Sequence, residues 1–462
     1  MKTNDRRWTP DDELTAAQTE QPIAASAQSS TDNGQRTTDK FLSSIVHRPS
    51  SVSCRSCGAG DLKTILSLGH TPLANSLLKA EQLNEPEEMY PLDLVFCTEC
   101  ALVQITETVP PEKLFREYLY FSSFSDTMLR HAREIVEQLI ASRRLDSNSL
   151  VMEIASNDGY LLQYYKQAGV PVLGIEPAAN IARVAREERG IPTISEFFGE
   201  QLAQQLSGDG QRADVIHANN VLAHVADLNG FVRGLALLLK DDGVAVIEAP
   251  YVKDMIDRCE FDTIYHEHLC YFSLTALDSL FRRHGLRIAD AQRLDIHGGS
   301  LRIFAVKDAA QRTTDSGQAH IVHRLLQDEA ECGVDREDFY FVFSSKVEKL
   351  REDLLTLLRG LKAQGKRIAV YGASAKGSTL LNYFRLGRET LDFVVDRSTI
   401  KQGLYTPRTH LPIHAPEKLL EAMPDYVLLL TWNFEEEILS QQAEYRKRGG
   451  RFIVPIPEVR VV

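Results

Sequence analysis

The sequence has no run of about 18 consecutive apolar residues, which is the length that a membrane-spanning helix requires. Residues 1–51 are rich in Thr, Gln, Ser, Asp and Ala and contain no apolar core, so they lack the pattern of a secretory signal. We expect them to form a disordered extension. These absences predict a cytoplasmic protein without membrane contact.

Basic residues are in the minority, because 52 Lys and Arg face 64 Asp and Glu and give a formal net charge of −12. Proteins that bind nucleic acid normally present a basic face, so this balance argues against such a partner. A local basic pocket can still hold the phosphate of a small molecule. At 462 residues the chain is too long for one ordinary core, and we expect two to four domains.

Cysteine is scarce, and four of the seven cysteines form two C-x-x-C pairs, namely Cys54, Cys57, Cys97 and Cys100. A spacing of two residues lets one tight turn present both sulfurs to one ion, and Zn²⁺ prefers four such ligands. We therefore predict a structural zinc site in a reducing compartment, with unrelated or redox-active cysteines as the alternative. The long gap between the pairs predicts an excursion from Ser67 to Pro91.

The middle of the chain alternates between strand-like and helix-like segments. Residues 150–162 suggest a strand, a turn at Gly159 and a helix, and further strands are expected at 170–175, 213–219 and 243–250. Successive strand–helix units predict an open parallel sheet with its ligand at the carboxyl ends of the strands.

The turn at Gly159 lacks the other glycines of a dinucleotide fingerprint, which disfavours NAD. Glu153 and Asp158 would repel a pyrophosphate but suit the cationic end of S-adenosylmethionine. Glu176, which follows the second strand, is placed to bind ribose hydroxyls. An α/β sheet without a cofactor is the alternative. The candidate cofactor-binding residues are Glu153, Ala155, Asn157, Asp158, Gly159, Glu176, Asn219 and Asn220.

The stretch Tyr265-His266-Glu267-His268 concentrates ionisable groups between the two α/β halves of the chain. Neutral histidine is well suited to take a proton near pH 7. Our hypothesis is that one of the two histidines is the general base of a carbon methylation. The alternative is a loop of satisfied polar residues.

Three other segments could bind a substrate. Aromatics and hydroxyls alternate at 118–125, where they could face a sugar or pack in a core. Arg302 follows two glycines and could hold a phosphate or carboxylate, or belong to a surface hairpin. The loop 372–378 places amides and Lys376 at a helix N-terminus that attracts phosphate, unless it is only a structural turn. The candidate substrate-binding residues are Tyr120, Ser122, Ser123, Asn220, His297, Arg302, Ser374 and Lys376.

We expect an α/β protein with a small zinc-binding N-terminal domain, an open parallel sheet of the class I methyltransferase type and a second Rossmann-like α/β domain. The expected boundaries are a disordered extension at 1–51, a zinc-binding domain at 52–124, a cofactor-binding domain at 125–306, a helical linker at 307–365 and a C-terminal domain at 366–462.

From about residue 52 onward, the chain resembles the sugar C-methyltransferases that act on nucleotide-linked keto-deoxysugars. The motifs that carry the resemblance are the two C-x-x-C pairs, YFSSFS at 120–125, EIASNDG at 153–159, ANNVLAH at 218–224, YHEH at 265–268, HGGSLR at 297–302 and YGASAKG at 371–377. The resemblance implies the three domains above, with the C-terminal domain helping to hold the substrate. It also implies that His268 is the base and that Tyr265, Glu267 and His224 are nearby. The extension at 1–51 departs from the family pattern.

The expected reaction transfers a methyl group from S-adenosylmethionine to C3 or C5 of a nucleotide-linked 4-keto-deoxysugar. His268 would remove the proton beside the ketone, Tyr265 or His224 would hydrogen-bond the enolate oxygen, and Glu267 would orient an imidazole or a sugar hydroxyl. The alternatives are an O- or N-methyltransferase on a related nucleotide sugar, or a non-catalytic zinc- and nucleotide-binding module. We expect a substrate of the dTDP, GDP or CDP type and a monomer or weak dimer.

Overall fold

The computed structural model describes residues 52–115, 122–296, 298–308 and 318–462. An antiparallel sheet opens this part of the chain, and its strands run in the order β1-β2-β3-β9. The pairing of Val103 with Tyr271 brings β9 (Cys270–Tyr271), which follows the Tyr-His-Glu-His stretch, onto the edge of this sheet. The first elements of this part of the chain are β1 (Leu62–Thr71), β2 (Tyr90–Cys97), β3 (Val103–Ile105) and α1 (Pro111–Phe115).

Helix α2 (Asp126–Arg143) leads into the central sheet. The Ser125 hydroxyl accepts from the amide of Met128 and caps its first turn, and Arg144 ends it in a left-handed conformation. The buried face of α2, which includes Ile135 and Val136, packs in one cluster with Leu161 and Tyr165.

The central sheet has seven strands in the order β10-β11-β8-β7-β4-β5-β6. Strands β8, β7, β4, β5 and β6 are parallel, and β11 and β10 continue the sheet in antiparallel pairing. The chain leaves β4 toward β5 and returns to its other side at β7, so the switch point lies at the carboxyl end of β4. The strands and helices are β4 (Val151–Ile154), α3 (Leu162–Gln167), β5 (Val172–Ile175), α4 (Ala179–Glu187), β6 (Thr193–Ile194), α5 (Glu200–Gly208), β7 (Ala213–Asn219), α6 (Leu228–Leu238), β8 (Leu239–Pro250), α7 (Val252–Asp257), β9 (Cys270–Tyr271), α8 (Leu274–Arg282), β10 (Leu286–Leu294) and β11 (Ser300–Lys307).

Two helices, α9 (Gln318–Cys332) and α10 (Glu337–Ala363), precede the third sheet. Glu329 of α9 is fully buried and accepts from the Tyr251 hydroxyl and from the amides of Leu274 and Thr275. A carboxylate at these amides satisfies donors at the start of α8, so it fixes α9 to the central sheet's helices.

The third sheet has the order β14-β13-β12-β15-β16-β17, and all of its strands except β17 are parallel. Its switch point lies after β12, where the loop 372–374 leads into α11. The elements are β12 (Ile368–Tyr371), α11 (Ala375–Phe384), β13 (Val394–Val395), β14 (Ile413–His414), α12 (Lys418–Ala422), β15 (Tyr426–Leu429), α13 (Glu435–Gln441), α14 (Ala443–Lys447), β16 (Arg451–Val454) and β17 (Arg460–Val461). Among the described helices, none combines the length and apolar character that crossing a bilayer requires.

Candidate active site

The two cysteine pairs meet at the end of the first sheet. The sulfurs of Cys54 and Cys100 are 3.5 Å apart, as are those of Cys57 and Cys97, and all four sulfurs lie within 4.8 Å of one another. Tetrahedral Zn–S bonds of about 2.3 Å place sulfurs about 3.8 Å apart, so the four thiols fit one zinc ion. A set of four sulfurs closes the coordination sphere, which makes the site structural.

The expected cofactor residues meet at the switch point of the central sheet. The loop after β4 holds Ala155 at φ 54°, Asn157 at φ 50° and Gly159 at φ 77°. Left-handed backbone costs about 1 kcal/mol at a residue such as alanine, and this kind of strain concentrates at functional sites. Asn220, after β7, is also left-handed, and its amide donates to the Glu248 carbonyl at 2.8 Å.

Several buried side-chain oxygens in this cleft accept no hydrogen bond from the part of the protein that the structure describes. Within the described residues, Oε2 of Glu153, Oδ1 of Asp158 and Oδ1 of Asn219 are buried without a hydrogen-bond partner. Burial raises the pKa of Glu153 well above its usual range, and the charges of Asp158, Glu176 and Glu248 add to this effect. A cationic ligand would supply the missing charge and donors, so the cleft fits the ammonium and sulfonium of S-adenosylmethionine.

Glu176 is fixed by its own backbone surroundings. Its two carboxylate oxygens accept from the amides of Asn157 and Ala178, each at 2.9 Å. Burial raises the pKa of Glu176 to about 7, although these two amides oppose the change. Each carboxylate oxygen keeps a second lone pair, so the ribose-binding role expected for Glu176 is compatible with these contacts.

Two serines expected to contact a sugar lie beside the cofactor loop and hydrogen-bond to it. The Ser122 amide donates to Oδ1 of Asn157 at 2.9 Å, and the Ser123 hydroxyl donates to Oδ2 of Asp158. Arg189 also pairs with Asp158, at 3.1 Å. Tyr120 and His297 lie outside the described residues.

Arg302 lies in an ion pair inside the central sheet. Its Nε donates to Oε1 of Glu248 at 2.6 Å, and His131 Nε2 contacts Oε2 of the same carboxylate at 2.8 Å. Arg302 is 6% exposed and Glu248 is 1% exposed. The two glycines do turn a hairpin between β10 and β11, but the surface position that this alternative gave Arg302 is wrong, since its guanidinium is buried and pairs with Glu248.

His268 has both ring nitrogens engaged. Nδ1 lies 2.9 Å from the carbonyl oxygen of Thr263, and Nε2 lies 2.9 Å from the Tyr265 hydroxyl. Because a carbonyl can only accept, Nδ1 carries the proton in neutral His268 and Nε2 presents a lone pair. The Tyr265 and His268 rings are 4.1 Å apart at their centroids. Nε2 of His268 is therefore unprotonated and can accept a proton.

His224 and Glu267 complete the cluster. The His224 ring centroid is 4.9 Å from that of His268, and its Nδ1 donates to the Glu267 carbonyl at 2.6 Å. Burial lowers the pKa of His224 to about 4, although the carbonyls of Glu267 and Asn220 oppose this. Burial raises the pKa of Glu267 to about 7, against the effect of the amide of Asn75, which donates to it at 2.6 Å.

The other histidine of the stretch faces away from this cluster. His266 Nε2 contacts the Pro91 carbonyl at 3.1 Å, and the ring packs edge-on against Tyr90 of β2. Burial lowers its pKa. His266 therefore anchors the stretch to the first sheet. Of the two histidines, His268 is the one that contacts Tyr265 and His224.

The loop 372–374 and the start of α11 form the last part of the site. The Ser374 hydroxyl accepts from the Gly377 amide at 3.0 Å, so it caps the helix. The Lys376 ammonium lies 4.6 Å from the centroid of the Trp432 ring, and among the described residues its nitrogen is buried without a hydrogen-bond partner. Lys376 keeps its ammonium donors for a ligand, and Ser374 keeps its O–H, because capping uses only the hydroxyl oxygen as an acceptor.

Sequence reasoning did not identify Asn75, His131, Glu248 and Arg189 as members of the site. The motif TPLANS at 71–76 contains Asn75 and was a usable signal, since an amide within a polar turn between two strands is a common ligand contact. Glu248 ends a predicted strand of the parallel sheet and therefore lay at the expected ligand edge. No local pattern marks His131 or Arg189, which reach the site from helices or turns.

Three family models match consecutive parts of the chain. They are described as "Putative zinc binding domain" for residues 54–115, "Methyltransferase domain" for 127–291 and "C-methyltransferase C-terminal domain" for 295–457. These matches and the sheet order confirm the expected fold class, and they confirm S-adenosylmethionine and zinc as the cofactors.

C-methyltransferase NovU from Streptomyces niveus is 38% identical over 88% of this chain and 96% of its own length. Ubiquinone biosynthesis O-methyltransferase from Bartonella tribocorum is 26% identical, over 31% of this chain and 58% of its own length. Among solved structures, magnesium protoporphyrin IX methyltransferase from Synechocystis PCC 6803 with bound SAM matches 39% of this chain and 79% of its own chain, at 16% identity and a TM-score of 0.31. The chain therefore belongs to the C-methyltransferase family that contains NovU, and it is an S-adenosylmethionine-dependent methyltransferase.

Proposed function

We propose that the enzyme methylates C3 or C5 of a nucleotide-linked 4-keto-deoxysugar, with His268 as the base that creates the enolate. The observation that carries this proposal is the fixed tautomer of His268, whose Nδ1–H is held by the Thr263 carbonyl while Nε2 presents a lone pair. Carbon beside a ketone becomes nucleophilic only when its proton is removed, and a lone pair of this kind can remove it.

Tyr265 is the donor placed to stabilise the enolate. In the resting site its hydroxyl donates to Nε2 of His268. The proton from the sugar carbon ends on Nε2, either directly once the hydroxyl turns aside or through the Tyr265 oxygen. The new Nε2–H can then donate to the Tyr265 oxygen, which leaves the phenolic proton for the enolate oxygen as its charge develops.

His224 is a poor candidate for that second donor role. With a pKa of about 4 it is neutral at pH 7, and its one proton is on Nδ1, where the Glu267 carbonyl accepts it. Its Nε2 therefore offers a lone pair, which can accept from a sugar hydroxyl but cannot stabilise an oxyanion. We assign His224 and Glu267 to orienting the sugar and the His268 ring.

When bound, S-adenosylmethionine supplies an electrophilic methyl group. Glu153, Asp158, Glu176 and Asn219 would hold it, because their free acceptor positions face the switch point of the central sheet. Glu248 stands next to Asn219 in the parallel pairing of β7 and β8, and the Glu248–Arg302 pair supports that edge of the cleft.

We assign the phosphates of the nucleotide to the start of α11. Lys376 has a buried ammonium without a hydrogen-bond partner in the described part of the chain, at the N-terminus of a ten-residue helix. Burial raises the pKa of the neighbouring Glu260 to about 8 and that of Asp262 above its usual value, against the charge of Lys376 in both cases. These acids therefore leave part of the Lys376 charge available to an anion such as a dTDP, GDP or CDP group.

The test separates proton removal from methyl transfer. His268→Asn should lower both the exchange of the acidic sugar proton with D₂O and methyl transfer by about 10²- to 10⁴-fold. His320→Asn is the matched control, since it changes the same residue type at an exposed position of α9 and should leave both rates near wild type. Substrates are a panel of nucleotide-linked 4-ketosugars, and NMR of the product locates the methyl group.

Unchanged exchange in His268→Asn would remove the base assignment. A methyl group on oxygen would assign the enzyme to O-methylation, and a methyl group on carbon identifies C3 or C5 directly.

A further inference from the structure

The segment Asp262–Ile264 contains the Thr263 carbonyl, which accepts from the imidazole of His268. Two side chains that lie next to strands of the third sheet donate hydrogen bonds to the residues before and after Thr263. Trp432, in the turn after β15, donates its indole N–H to Oδ2 of Asp262 at 2.8 Å. Asp262 is fully buried, and a hydrogen bond to a buried carboxylate is charge-assisted or strongly polarised, so it is costly to break.

The second hydrogen bond is made to Ile264, two residues after Asp262. The hydroxyl of Thr379 in α11 donates to the Ile264 carbonyl at 3.0 Å, and Thr379 is 3% exposed. Between the two contacts, the Thr263 carbonyl accepts from Nδ1 of His268 at 2.9 Å and from the Tyr271 hydroxyl at 3.3 Å. The peptide that fixes the tautomer of His268 is thus clamped by two side chains that are more than 100 residues away in sequence.

We propose that Trp432 and Thr379 are positioning residues for the base, which act through the Thr263 carbonyl to keep Nδ1 of His268 protonated and Nε2 directed at the sugar. The proposal rests on the assignment of His268 as the base. Neither residue needs to touch the sugar, because rotation of the 262–264 peptides alone would misplace the imidazole. A displacement of about 1 Å at a reacting group can cost about 10²-fold in rate.

Thr379 allows an experiment that separates the hydroxyl from the rest of the side chain. Thr379→Val keeps the shape of the side chain and removes the donor, whereas Thr379→Ser keeps the donor and removes a methyl group. Trp432→Phe keeps an aromatic ring at the Lys376 ammonium and removes the indole N–H together with the pyrrole part of the ring system. Tyr445→Phe is the matched control, because its buried hydroxyl donates to the Pro424 carbonyl at 2.8 Å within the same region and contacts none of residues 262–264.

The readouts are kcat and KM for exchange of the acidic sugar proton with D₂O, together with far-UV circular dichroism and the thermal midpoint of each variant. We expect Thr379→Val and Trp432→Phe to lower kcat by about 10- to 100-fold with KM changed less than about threefold, as misplacement of a catalytic group predicts. Thr379→Ser should recover most of the rate. Tyr445→Phe should keep the wild-type kcat.

The proposal is overturned if Thr379→Val retains the wild-type kcat, if Thr379→Ser is as slow as Thr379→Val, or if Tyr445→Phe is equally slow. A rise in KM at constant kcat also overturns it, since that result would assign Thr379 to substrate binding. Should Trp432→Phe fail to fold, the Val and Ser variants at 379 decide the question. His268→Asn is measured in the same series, and exchange that persists there refutes the base assignment separately from the positioning role.

Discussion

The ion pair between Arg302 and Glu248 provides a stability prediction whose size follows from its burial. Glu248 lies on β8 and Arg302 on the adjacent β11, directly opposite in the antiparallel register. Although burial raises the pKa of Glu248, the hydrogen bond from His131 and the charge of Arg302 hold it below its usual value. The carboxylate is therefore charged at neutral pH, and His131 and the Arg302 guanidinium together compensate its charge.

Arg302→Met removes the cation and leaves a charged carboxylate 1% exposed. Breaking a buried pair from one side costs about 3–5 kcal/mol, because the remaining charge keeps its desolvation penalty. The double variant Arg302→Met, Glu248→Gln removes both charges and leaves a neutral amide that can still bond His131. We expect it to recover most of the loss, since replacing both members of such a pair is often close to neutral.

The measurement is urea unfolding followed by far-UV circular dichroism, with S-adenosylmethionine affinity measured by calorimetry on the same samples. A loss below about 1 kcal/mol in Arg302→Met, or a double variant no more stable than the single one, would refute the reasoning from burial. Wild-type stability with a raised KM for the sugar nucleotide would instead support the substrate-binding role predicted for Arg302 from the sequence.

Two further outcomes follow from the site. Cys100→Ser should lower bound zinc from about one ion per chain toward none and speed amide hydrogen exchange in β1 to β3, and full retention of metal and protection would contradict a four-sulfur site. For Glu267, folding raises the pKa from 4.5 to about 7, so its protonated form adds stability that is complete below pH 4.5 and lost as pH rises through 7. Between pH 6 and 8 wild type should therefore lose about 1 kcal/mol relative to Glu267→Gln, and parallel pH curves for the two would exclude the buried acid.

Local patterns predicted the parts of the site that are local in the fold. The spacing of each C-x-x-C pair is a property of one turn, and the turn at Gly159 follows from a strand, a glycine and a helix start. The strand order of a doubly wound sheet then placed Glu176 beside that loop. These predictions needed no knowledge of distant partners.

The contacts that sequence reasoning could not give join residues far apart along the chain. Asn75 and Glu267 are separated by 192 positions, and His131 and Glu248 by 117. A buried polar residue has the same local sequence whether its partner is a ligand or another side chain. Arg302 shows the consequence, because a motif of glycines before an arginine is consistent with an anion site until Glu248 is seen opposite.

The short stretch 262–271 contacts all three sheets, and this explains why its chemistry depends on the whole chain. The first sheet receives β9 and the His266 ring, the central sheet contributes His224 at the Glu267 carbonyl, and the third sheet's region contributes Trp432 and Thr379. A loop without regular structure has no internal ladder of hydrogen bonds to fix its side chains. Its imidazole can be held to the accuracy that proton transfer from carbon needs only because separate scaffolds bind successive residues, and the zinc ion contributes to this by stabilising one of them.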